Sequence, residues 1–148
     1  MKLTFTKRAG KYDDLVIARA DGGSEALQCP KQRIIPHDMV HYAVESVLAR
    51  RGFLGMVAEG HRLAFETEGG ISEESIERLV EAFQAEMWGG RVPSSELRDA
   101  YALGCEARGH AALPVSDEDI AAIRAQLDTL TAAWDQIPLN GSLALDLA

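Results

Sequence analysis

The sequence is poor in the features that mark cross-linked, membrane-bound or nucleic-acid-binding proteins. It has two cysteines in 148 residues and no CxxC pair, which argues against a disulfide scaffold, and no apolar run is long enough to span a bilayer. Its 15 Lys and Arg residues are scattered and outnumbered by 23 Asp and Glu residues, and this net charge of −8 disfavours nucleic acid and anionic membranes as partners. No signal-peptide pattern follows MKLTFTKRAG, so we expect a cytoplasmic protein.

The composition that remains is that of an ordinary globular domain. Apolar residues make up 47% of the chain and charged residues 26%. A chain of this length buries enough surface to fold without disulfide or metal cross-links. We therefore expect one domain over residues 1–148, with Cys29 and Cys105 as small buried thiols.

Alternation of apolar and polar residues predicts strands at both ends of the chain. In the first thirty residues this pattern indicates an antiparallel β-meander, and Asp21, Gly22 and Gly23 suit its second, tight turn. The predicted strands lie around Leu3 and Phe5, at residues 15–20, at residues 24–29 and, near the C-terminus, around Leu143, Leu145 and Leu147. We expect the short C-terminal strand to join the N-terminal sheet.

Helical periodicity predicts about five α-helices between these strands. The expected helices cover residues 36–51, residues 53–65 after a turn at Gly52, a third segment capped by Ser72, a fourth from Pro93 to near Gly109, and a last one opened by a capping box of Ser116 and Asp119. Strands followed by a run of helices, without strict alternation, favour an α+β fold.

The last predicted helix supplies the first hypothesis about function. Its apolar residues repeat at alternating spacings of three and four, which is typical of helices packed at a shallow angle. They are Ile120, Ile123, Leu127, Leu130, Trp134 and Ile137. This seam can be used inside the monomer, or it can form a homodimer or hold a protein partner. The second use would make the chain a non-catalytic binding or protein-interaction module.

Candidate chemistry is concentrated in PHDMVHYAVE, residues 36–45. His37, His41 and Glu45 recur at every fourth position, so a helix places them in one column along the border of its apolar face, with Tyr42 on the polar half. Two histidines four residues apart are a common way to hold Zn²⁺. HDMVH resembles the zincin pattern HExxH, with the shorter Asp38 where that pattern has its general base.

The second hypothesis is a metal-dependent hydrolase or metal-binding protein that uses Zn²⁺ or another divalent transition metal. If Gly52 closes an antiparallel helical hairpin, His61 lies level with His41 and becomes a further ligand. The candidate ligands are then His37, His41, Glu45 and His61, with Asp38 as the candidate catalytic base.

Two other interpretations of these residues stay open. His41 and Glu45 can form an exposed pair one helical turn apart, with no ligand at all. Alternatively, His41, Tyr42 and Phe53 can line a pocket for a small ligand.

Two features of the third and last predicted helices favour a structural role. Glu73, Glu74 and Glu77 predict a solvated helix face, with a favourable helix dipole at its start. Trp88 and Trp134 end their apolar stripes, which favours packing in a core or interface over stacking on a ligand.

The segment from Pro36 to Gly60, preceded by the predicted meander, also supports a resemblance. Its PHD and VHYAVE helix followed by RGFLGMVAEG resembles a group of small uncharacterised bacterial proteins. The group has no established activity, so the resemblance implies the fold and assigns no role to any residue.

Overall fold

The computed structural model describes residues 1–31, 34–48 and 71–147. Four strands and four helices lie within these ranges: β1 Lys2–Thr6, β2 Tyr12–Ala18, β3 Ser24–Pro30, α1 His37–Leu48, α2 Ile71–Gly89, α3 Ser94–Ala107, α4 Asp117–Asp135 and β4 Ser142–Asp146. The α+β class is therefore confirmed. The helix predicted at residues 53–65 lies outside the described residues, so the described part contains four helices where about five were expected for the whole chain.

The sheet is antiparallel throughout, in the order β3, β2, β1, β4. The predicted meander and the predicted addition of a C-terminal strand are both confirmed. The turn between β2 and β3 uses Gly22 at φ +91°, and the backbone N–H of Arg19 donates to the carbonyl of Gly23 at 2.8 Å. Leu143 and Leu145 of β4 pair with Phe5 and Leu3 of β1, so the two ends of the chain share one sheet.

One face of the sheet contributes to the core. Leu3, Phe5, Leu15 and Ile17 alternate with polar or exposed neighbours and are fully buried, as the period of two requires. Helix α1 packs against β3, α2 and α4, which makes it the central helix of the described structure.

This central position shows that the prediction of one apolar and one polar half for α1 is wrong. Every residue from Asp38 to Glu45 is buried, including Tyr42, which was expected on a polar half. The Tyr42 hydroxyl donates to the backbone carbonyl of Asp146 at 2.9 Å, so it is satisfied within the fold. Phe53, the other residue of the predicted small-ligand pocket, lies outside the described residues.

Helix α4 follows its prediction closely. The side chain of Ser116 accepts from the backbone N–H of Asp119, and the Asp119 carboxylate accepts from the backbone N–H of Ser116, which completes the capping box. The residues of its apolar seam within the helix are Ile120, Ile123, Leu127, Leu130 and Trp134, all of which are at most 5% exposed. The seam is therefore used inside the chain.

Two further expectations concern α2 and the cysteines. Helix α2 already includes Ile71 and Ser72, so Ser72 does not hold the predicted N-cap position. Cys29 and Cys105 are both free thiols in the core, as expected.

Within the described ranges, no helix is both long and apolar enough to cross a membrane.

Candidate metal centre

Two helices bring a pair of imidazoles and one carboxylate together. His37 and His41 lie one turn apart on α1, with their ring centroids 4.9 Å apart and the rings nearly perpendicular. Glu77 reaches both from α2: its Oε2 lies 2.7 Å from His41 Nε2 and its Oε1 lies 3.3 Å from His37 Nε2. The three potential ligand atoms all lie within 4.8 Å of one another. We call His37, His41 and Glu77 the His–Glu cluster.

The histidines present the same ring nitrogen to the carboxylate, and their other nitrogens are held from behind. His41 Nδ1 lies 3.3 Å from Glu45 Oε2, and His37 Nδ1 lies 2.9 Å from Gln84 Oε1. An N–H on His37 Nδ1 donates to Gln84, and Glu45 forms an ion pair with His41 on its Nδ1 side, which leaves each Nε2 directed towards Glu77. Metal-binding histidines usually have such a supporting acceptor, because it selects the tautomer and orients the ring.

The cluster is buried on one side and accessible on the other. The side chain of His41 is 3% exposed and that of Glu45 is 1% exposed. The side chains of His37 and Glu77 are 24% and 31% exposed. The cluster thus has a sheltered inner end at His41 and an outer end at which solvent reaches it.

The electrostatics of the cluster favour a cation between these groups. Burial by itself lowers the pKa of His41, but its contacts with the carboxylates of Glu45 and Glu77 outweigh this effect and raise the pKa to about 10. Burial likewise disfavours the Glu77 carboxylate, yet hydrogen bonds from His37 and His41 hold the pKa of Glu77 well below its usual range. Without a metal, a proton on His41 supplies the positive charge, and a divalent ion would compete with that proton.

The distances from Glu77 to the two imidazoles can be compared with those around a bound ion. Two ligand atoms bound tetrahedrally with bonds of about 2.0–2.1 Å lie about 3.3 Å apart. The His37 to Glu77 distance of 3.3 Å already meets this value, whereas the His41 to Glu77 distance of 2.7 Å is that of a hydrogen bond. The three ligand atoms lie within 4.8 Å of one another, so an ion would draw them closer together.

The structure separates the residues predicted as one site. His37 and His41 come together as expected, but Glu45 supports His41 from behind and is not among the three converging ligand atoms. The Asp38 carboxylate accepts a hydrogen bond from the Cys29 thiol at 2.9 Å, so it is engaged next to β3 and not in the His–Glu cluster. His61 lies outside the described residues, and its role as a ligand stays a prediction.

Glu77 is the residue that sequence reasoning missed. The expectation that Glu73, Glu74 and Glu77 form a solvated face is wrong for two of them: Glu73 is 8% exposed, and Glu77 faces both histidines. A signal was present, because Glu73, Glu77 and Gln84 follow one border of the apolar stripe of α2. That border meets the histidine column of α1 only when the two helices pack.

The expected pairing of His41 with Glu45 is present but buried. Each residue is 2% exposed, so the interpretation as an exposed surface contact is wrong. A buried charge requires compensation, and the two carboxylates around His41 provide it.

No known protein family, curated protein or solved structure matches this chain. The chemistry of the His–Glu cluster must therefore be inferred from its own geometry.

Proposed function

We propose that this protein binds one divalent transition-metal ion, with Zn²⁺ as the best fit, through His37 Nε2, His41 Nε2 and the carboxylate of Glu77. The single observation that supports this most is the paired arrangement of the imidazoles: both Nε2 atoms face one carboxylate, while a Gln84 oxygen lies beside Nδ1 of His37 and a Glu45 oxygen beside Nδ1 of His41. Two imidazoles and a carboxylate are a ligand set typical of catalytic zinc sites.

The alternative of an interaction module has less support. Its motivating feature was the apolar seam of α4, and these residues are buried against the rest of the same chain. Hydrolysis with Asp38 as the base is also less favoured, since the Asp38 carboxylate is engaged by Cys29 beside β3. Metal binding is accordingly the proposal, and catalysis would need another base.

The test uses protein purified without a histidine tag. Metal content is measured by mass spectrometry, and Zn²⁺ binding by calorimetric titration of the chelator-treated protein. We expect one ion per chain, and we expect His41→Ala and Glu77→Ala each to lose it. Removal of a first-sphere ligand leaves the ion too few protein contacts to compete with water and buffer.

The chain provides a matched control for both substitutions. His110 Nε2 lies 2.8 Å from Glu74 Oε2, a separate contact between a histidine and a glutamate of α2. His110→Ala and Glu74→Ala should leave Zn²⁺ binding unchanged, because neither residue belongs to the cluster. If the native protein binds no transition metal, or if His41→Ala binds as tightly as the native chain, the proposal is wrong.

A further inference from the structure

A cleft of about 340 Å³ lies next to the outer end of the His–Glu cluster. His37 and Glu77 form one part of its lining, and Pro30, Ala85 and Trp88 form an apolar part. This volume lies at the small end of the range for sites that bind organic molecules. The cleft and the candidate metal centre therefore share two residues, His37 and Glu77.

The fourth coordination position of a bound ion would face this cleft. The described residues supply three ligand atoms, and structural zinc sites normally have four. The inner end at His41 is closed, so the accessible side of the ion lies between His37 and Glu77, the two ligands that line the cleft. A site with three protein ligands typically keeps its fourth position for water or substrate.

The charge at this position selects an anion. A divalent ion with two neutral imidazoles and the Glu77 carboxylate retains one net positive charge in its first sphere. The negative charge of Glu45 lies beyond His41, on the Nδ1 side of the ring and away from Glu77. Glu81 also lines the cleft, but its carboxylate is 3.0 Å from Arg78 Nη2, which offsets its repulsion of an anionic ligand. A monoanionic oxygen ligand therefore matches the ion best.

The apolar part of the cleft lining favours an apolar group on the ligand. Trp88 is 49% exposed although it is the largest side chain of α2, and it lines the cleft together with Ala85 and Pro30. An indole face and a proline ring are surfaces on which aromatic and aliphatic groups pack. The cleft thus joins a cationic position to an apolar wall.

Resting on the metal site proposed above, we infer that the cleft binds a small organic carboxylate, with one carboxylate oxygen in the fourth position of the ion and an apolar or aromatic group packed on Trp88. The carboxylate replaces the water on the ion, and no covalent bond to the protein forms. Free acetate offers only the first contact, whereas phenylacetate offers both.

The test follows the visible absorption of the Co²⁺-loaded protein during titration with phenylacetate and with acetate. Co²⁺ replaces Zn²⁺ and its spectrum reports the number and type of its ligands. We expect both anions to change the spectrum saturably, with phenylacetate bound about tenfold more tightly than acetate because of the aromatic contact. Trp88→Ala should remove this preference and leave acetate binding unchanged.

Leu103→Ala is the matched control, because Leu103 is an apolar residue of α3 that is 66% exposed and does not line the cleft. It should leave both affinities unchanged. A chain that does not bind Co²⁺ overturns the metal site and this inference together. A chain that binds Co²⁺ but whose spectrum no carboxylate alters overturns this inference alone, since a fourth protein ligand then closes the ion. Equal affinity for the two anions, unaffected by Trp88→Ala, overturns the assignment of the apolar wall.

Discussion

Glu45→Gln should weaken Zn²⁺ binding by about 10 to 30-fold without changing its stoichiometry. Glu45 Oε2 lies 3.3 Å from His41 Nδ1, on the side of the ring opposite to Glu77. A carboxylate in this position orients the imidazole and makes its other nitrogen a better metal ligand. Glutamine keeps the shape and an oxygen that can face Nδ1, so the substitution removes the charge and little else.

The magnitude follows from the burial and the distance of this contact. Loss of such a supporting residue typically costs about 10 to 100-fold in metal affinity. The two side chains are 3% and 1% exposed, so water screens the lost charge very little. However, 3.3 Å is longer than the usual distance of about 2.7–2.9 Å for a charge-assisted hydrogen bond, which places the effect in the lower part of the range. A change of 10 to 30-fold corresponds to about 1.4–2 kcal/mol of binding free energy.

The measurement is competition for Zn²⁺ against a chromophoric chelator at fixed pH and salt. Glu106→Gln is the control, because it removes the same charge from an exposed position of α3. Circular dichroism and thermal unfolding of the metal-free proteins establish that both variants are folded. An unchanged affinity for Glu45→Gln would refute the supporting role of Glu45. A loss as complete as that expected for His41→Ala would also refute it, and would assign Glu45 to the ion itself, as the sequence predicted.

Three further predictions concern the core and its charges. Leu127→Ala should lower the free energy of unfolding by about 2–5 kcal/mol in urea titrations, since Leu127 is 2% exposed within the same chain. Its elution volume on size exclusion should stay unchanged. A change in oligomeric state would contradict the assignment of Leu127 to the core. Arg124→Ala should cost about 3 kcal/mol, because it leaves the 4% exposed side chain of Glu86 without its two contacts from Arg124 at 2.7 and 2.9 Å. The control Arg91→Ala, at a half-exposed surface pair, should cost less than about 1 kcal/mol, and similar costs for the two variants would show that burial does not decide the effect. The Cys29 thiol should resist alkylation by iodoacetamide in the folded protein up to pH 9 and react after unfolding, because it is fully buried and burial raises its pKa; modification under native conditions would refute this.

Several turns and helix caps could be predicted from a few neighbouring residues of the sequence. Gly22 adopts the positive φ that its turn requires, and Ser116 with Asp119 forms the predicted capping box. These features depend on a few neighbouring residues, so the chain carries them whatever the rest of the fold does. The alternation of β1 and β4 similarly predicts which side chains are buried, although only the register in the sheet shows that the two strands pair.

The sequence predicted only the two histidines of the candidate metal centre. The spacing of His37 and His41 places both rings on one side of any helix, and the sequence therefore identified them. Their partner Glu77 belongs to another helix, and its meeting with them depends on how α1 and α2 pack. The same packing changes Glu45 from an exposed neighbour of His41 into a buried support.

The sequence by itself thus determined the class of the fold, the ends of several elements and the histidine pair, because these follow from local periodicity and backbone conformation. Only the tertiary structure decided which face of each helix is covered. That face determines which carboxylate approaches an imidazole and how strongly water screens their charges. For this protein, the position of Glu77 between two histidines and beside a cleft is such a consequence of helix packing.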